Sequence, residues 1–134
     1  MWDVTVKSGK RLDAFDQWCL RHILQVPFTA HVINQVVRTR SARPPVTNTT
    51  TARRLRFLGH IVRSDSDEDY MRALNAGIDD PPKDWRPRQT WLRTIENDLK
   101  QQNLGLWSAR HRAYDHELWR QILETATLLQ GHAT

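Results

Sequence analysis

Arg53, Arg54, Arg56, His60 and Arg63 place five nitrogen-rich side chains inside the stretch T-T-A-R-R-L-R-F-L-G-H-I-V-R, residues 50–63. Guanidinium groups donate in a planar fork that matches phosphate oxygens, and an imidazole adds a further donor. The chemistry these residues suit is therefore a grip on a polyanion, with no bond made or broken. At roughly 100° per residue, Arg53, Arg56, His60 and Arg63 gather on one side of a helix, with Leu55, Leu58 and Val62 nearly opposite. A solvated face on an ordinary amphipathic helix has the same pattern, so the rest of the chain must decide between the two. Arg38, Arg40 and Arg43 before this stretch, and Arg86 and Arg88 after it, are the candidates for secondary contacts from loops.

Residue sets for other chemistries are incomplete. Cys19 and His22 stand three apart and His111 and His116 five apart, but neither pair has the further ligands that a closed metal site needs. No nucleophile elbow, phosphate-binding glycine loop or dinucleotide fingerprint occurs, and no cofactor is expected. Asp65, Asp67, Glu68 and Asp69 have the composition of a two-metal phosphoryl-transfer site. Such carboxylates need rigid strands behind them, and these lie in a polar stretch without an apolar frame. The glycine and closing Glu of a calcium loop are missing as well. This cluster reads as a solvated loop or as an intramolecular counterpart of the basic helix. No catalytic residue is expected, and the chain reads as non-enzymatic.

Charge is unevenly spread. Residues 1–63 hold eleven Lys/Arg against three Asp, residues 64–84 seven acids against two bases, and residues 85–134 seven bases against five acids. These divisions suggest a basic helical region, an acidic loop and linker, and a C-terminal helical region packing on the first within one domain. Arg outnumbers Lys sixteen to four, a bias toward phosphate and base contacts rather than simple solubility. A single cysteine excludes an internal disulfide framework. The sequence has no run of apolar residues long enough for a bilayer and no secretory leader pattern at its start. The expected setting is intracellular, nucleus or cytoplasm, away from membranes.

The elements that would hold these residues are helices. Trp2, Val4 and Val6 alternate with polar residues, the period of a short strand or of a lead-in to the first helix. Ser8 is a candidate N-cap for that helix, whose stripe of Leu12, Phe15, Cys19, Ile23 and Val26 should face a core. Pro27 ends it. Thr29 can cap a shorter helix burying Val32, Ile33, Val36 and Val37, and the run Thr47 to Thr51 can cap the basic helix. Gly59 inside that helix costs about 1 kcal/mol relative to Ala, which points to close approach by another backbone or a ligand. Tyr70 to Leu74 suggest a short helix stopped by Gly77. Trp91, Leu92, Ile95 and Leu99 mark another, broken at Asn103 and Gly105. From Leu106 to Gln130 the pattern fits one long helix or two, with Asp115 as internal cap and Trp119, Ile122, Ala126 and Leu129 as the apolar stripe. The fold class is all-α, a small bundle of about five or six helices.

An ordered series of short motifs carries a resemblance. Lys10-Arg11-Leu12-x-x-Phe15-x-x-x-Cys19-Leu20-Arg21-x-Ile23-Leu24 is followed by Asn34 and then by Arg53-Arg54-Leu55-Arg56-Phe57-Leu58-Gly59-His60-Ile61-Val62-Arg63. Arg86-Pro87-Arg88-x-x-Trp91, Asp98-Leu99, Ala113-x-Asp115 and Trp119-Arg120 come after, and Trp2 precedes the whole. In order and spacing this resembles the region after the polymerase domain in non-LTR (LINE-type) retrotransposon reverse transcriptases. One departure is Trp85, where that family usually has glycine before Arg-Pro. The resemblance implies a carboxy-terminal piece, from the thumb onward, without the polymerase's Tyr/Phe-x-Asp-Asp turn. It also implies contact with template RNA and target DNA, and a neighbouring polymerase domain as partner. The alternatives are a helical protein-interaction module whose basic face meets an acidic surface, and a vestigial fragment without independent activity.

Overall fold

The computed structural model describes residues 5–64, 68–79 and 90–129. Among these, seven α-helices and one 3-10 turn follow each other with no strand. They are α1 (Val6–Ile23), the turn Phe28–Ala30, α2 (Asn34–Ser41), α3 (Val46–Val62), α4 (Asp69–Asp79), α5 (Trp91–Lys100), α6 (Leu106–Ala113) and α7 (His116–Leu129). The chain is all-α as expected, α4 covers the short helix expected at Tyr70 to Leu74, and the last stretch takes the two-helix alternative as α6 and α7. Trp2 to Val4 lie outside the described residues, and Val6 opens α1 rather than a strand.

Two compact units divide the chain, Met1–Thr51 with Thr127–Thr134, and Ala52–Ala126. Residues 52–63 share the second unit with residues 90–126.

In the first unit, Thr5 rather than Ser8 is the N-cap of α1, its hydroxyl accepting from the Ser8 N–H at 3.2 Å. The α1 stripe does not face a core. Leu12, Phe15 and Ile23 are exposed by 43%, 64% and 75%, and the helix buries Gly9, Gln17 and Leu20 instead. Only Leu20 and Val37 are buried hydrophobic side chains among the described residues of this unit, so polar clamps hold it together. Arg21 donates to the Val32 carbonyl at 2.6 Å and to Asn34 Oδ1 at 2.8 Å. Arg38 pairs with Asp16 and donates to the Asp13 and Pro44 carbonyls. Asp13 in turn caps α3: its carboxylate accepts from the Thr47 N–H at 3.1 Å and the Thr47 hydroxyl at 2.7 Å. A negative charge at a helix start meets unpaired N–H groups and the positive end of the dipole. The threonine run therefore lies within α3, and its cap comes from α1. Thr29 falls in the 3-10 turn, α2 starts after Ile33, and of its expected buried set only Val37 is fully enclosed.

The second unit has an aliphatic core. Leu55, Leu58, Ile61 and Val62 of α3 pack with Met71 and Leu74 of α4, Ile95 and Leu99 of α5, Ala109 and Ala113 of α6, and Trp119 of α7. The hydroxyl of Thr90 caps α5 through the Arg93 N–H, and Asp115 Oδ1 caps α7 through the N–H groups of Glu117 and Leu118 at 2.9 and 3.1 Å. Asn103 adopts φ 56°, the left-handed conformation that ends a helix. Gly77 does not stop α4: the helix runs through it, and a Cβ there would lie 2.3 Å from Leu92 Cδ1.

Candidate nucleic-acid interface

α3 sorts the five predicted cations by their angle around its axis. Arg53, Arg56 and His60 fall within an arc of about 60° and are exposed, and none of their side chains pairs with another described residue. They span two turns, about 10 Å along the axis. The remaining two are engaged inside the unit. Arg54 lies on the buried side, where Nε donates to Asp98 Oδ2 at 2.7 Å and an Nη to Asp98 Oδ1 at 3.0 Å. This bidentate pair is shielded on both sides, with side-chain exposures of 14% and 8%. Arg63 donates to the Ala113 carbonyl at 2.6 Å, closing the last turn of α6.

The start of α7 lies beside this row. Arg56, Arg63, His116, Glu117, Trp119, Arg120 and Leu123 line an open recess of about 370 Å³, toward the small end of the roughly 300–1,000 Å³ usual for ligand clefts. Three guanidinium groups and one imidazole face a single carboxylate, and Glu117 is paired with Arg120. The recess is suited to an anion. His116 and Arg120 were not among the expected residues, although their spacing of four with Leu123 three further on puts them on one face of α7. That periodicity was the available signal.

Gly59 is explained by the same neighbourhood. A Cβ there would sit 2.3 Å from Trp119 Nε1 and 2.6 Å from Cδ1. The indole N–H donates to the Leu55 carbonyl at 3.1 Å, and Trp119 is only 1% exposed. The close approach is thus that of a packed side chain, and neither a backbone nor a ligand is required. His60 next to it is exposed, on the row with Arg53 and Arg56.

Of the candidates expected in loops, Arg38 and Arg40 lie in the last turn of α2 instead; Arg38 is committed to Asp16, whereas Arg40 and Arg43 are exposed in the first unit. Arg86 and Arg88 lie outside the described residues, as do Asp65 and Asp67. Glu68 and Asp69 are exposed, and Asp69 pairs with Arg72 in the same helix. No family model, curated protein or solved structure matches the chain. Among the described residues no helix is long and apolar enough to cross a membrane, and no group of three or more His, Cys, Asp or Glu is placed to hold a metal ion.

Proposed function

We propose that the chain is a non-catalytic nucleic-acid-binding module that holds the backbone of template RNA or target DNA through α3. On the resemblance of its ordered motifs, it is the post-polymerase region of a non-LTR retrotransposon reverse transcriptase. The observation that carries the binding reading is the exposed row Arg53, Arg56 and His60, unpaired with any described residue and continued by the recess beside Arg63 and Arg120. Basic residues left over after a unit has met its own structural needs are the ones available to phosphate. Arg54 and Arg38 leave the contact set on this reading, because carboxylates already hold their guanidinium groups, whereas Arg63 gives one donor to the Ala113 carbonyl and still lines the recess.

Phosphate contacts of this kind release counterions and carry little sequence information. Affinity for duplex DNA and for single-stranded RNA should fall steeply with salt and change little with sequence. Arg53→Glu/Arg56→Glu should flatten the logarithmic salt slope by about 2 and leave the thermal unfolding curve in place. Binding that stays level from low to physiological salt in the unaltered chain would refute the reading.

A further inference from the structure

We propose that the outward face of α1 is a second site, a stacking platform for single-stranded nucleic acid built from Phe15, Trp18 and His22 and flanked by Lys7 and Arg11. At roughly 100° per residue these five side chains fall within an arc of about 80°, opposite the buried Gly9 and Leu20. Phe15 and Trp18 are exposed by 64% and 56%. Their rings are nearly parallel, 17° apart with centroids at 6.1 Å, and the Trp18 and His22 rings approach to 4.0 Å. The Trp18 carbonyl lies 3.0 Å from His22 Nδ1, which fixes that ring further. Three aromatic surfaces are therefore held in a row before any ligand arrives, which lowers the entropy lost on binding.

Charge selects the ligand. Both carboxylates of α1 lie on the other side and are occupied, Asp13 by Thr47 and Asp16 by Arg38. The exposed arc carries cations and no acid. Every nucleobase has a π-face, and stacking on aromatics beside a cationic track is the general mode of single-strand capture. From Arg11 to His22 the platform runs about 16 Å, the rise of four or five stacked nucleotides at about 3.4 Å each. Bases within a duplex are already stacked on each other and cannot use it. Because stacking reads the base and ignores the sugar, RNA and DNA strands should bind alike. This site is independent of α3, which holds backbone and does not distinguish paired from unpaired strands.

The test is fluorescence anisotropy of the full chain with a 12-nucleotide RNA, the matching single-stranded DNA and the DNA duplex. Loss of one to two stacked bases at about 1–3 kcal/mol each predicts that Phe15→Ala/Trp18→Ala weakens both single strands at least about fivefold. Duplex affinity should stay within about twofold, and Trp18→Phe should keep most of the single-strand affinity. Unchanged single-strand affinity in the double variant overturns the proposal, and so does an equal loss on the duplex. If sedimentation shows concentration-dependent self-association that only the double variant or Leu12→Ser/Ile23→Ser abolishes, with strand affinity untouched, the face is a protein contact and the proposal falls. Arg53→Glu/Arg56→Glu, run in parallel, reports on α3 alone, so either site can fail without the other.

Discussion

Replacing Gly59 with Ala gives a severe test of how the second unit is packed. The added methyl group would begin 2.3 Å from Trp119 Nε1, far inside van der Waals contact. Trp119 cannot swing aside cheaply, because the indole is enclosed and its N–H is bonded to the Leu55 carbonyl. Forcing an extra methyl into a packed core costs about 1–3 kcal/mol. If the indole shifts enough to break its hydrogen bond, a buried donor is left unpaired for about 1–3 kcal/mol more. Alanine returns about 1 kcal/mol of helix propensity. With the hydrogen bond broken the net expectation is a loss of about 1–5 kcal/mol, read as a lower urea midpoint at unchanged slope. Gly59→Ala should also couple to Trp119→Phe, the double variant being less damaged than the two single losses combined. A Gly59→Ala chain as stable as the parent, or more stable, would refute the packing argument and reopen glycine's place as a ligand approach.

Gly77→Ala makes the contrasting case: the atom in its way is a methyl end of Leu92, which can rotate, so urea unfolding should show a change within about 1 kcal/mol. Arg54→Met leaves the Asp98 carboxylate buried without its bidentate partner and should cost about 3–5 kcal/mol, whereas Arg54→Met/Asp98→Leu should recover much of that loss. Thermal melts of the two variants separate the structural reading of Arg54 from a binding one. Asp13→Ala removes the cap of α3 and should lower stability by about 0.5–2 kcal/mol, measured by urea unfolding. Ala42 ends α2 at φ 52°, so Ala42→Gly should raise the melting temperature slightly, relieving about 1 kcal/mol of left-handed strain against glycine's larger unfolded-state entropy.

Periodicity made the second unit legible. Leu55, Leu58 and Val62 face its core, Asp115 caps α7, and Trp119 and Ala126 are buried where the stripe of α7 places them. Arg54 could have been set apart from the other cations on the same ground, since its angle on α3 lies among the apolar residues. Its run with Arg53 drew it into the basic set. The first unit was harder to read, because an apolar stripe reveals that a face seeks cover and not whether the chain supplies it. Leu12, Phe15 and Ile23 have helical spacing and yet face outward. The cap of α3 was hidden for a related reason: Asp13 and Thr47 are 34 residues apart, and long-range pairs leave no local signal.

A unit held by Arg21, Arg38 and Asp13, with only Leu20 and Val37 enclosed among its described hydrophobic residues, should respond to solvent differently from one held by a continuous aliphatic core. Backbone amides of α1 and α2 should open by local fluctuations and exchange with deuterium early. Those of α5 and the Leu55–Val62 part of α3 should exchange only as the second unit unfolds. One of these clamps, Arg38 with Asp16, is an ion pair and weakens modestly as salt rises, while the aliphatic core does not. High ionic strength would then lower the protection of the first unit slightly and leave the second unchanged. Salt would act on the protein's own architecture as well as on any polyanion it holds.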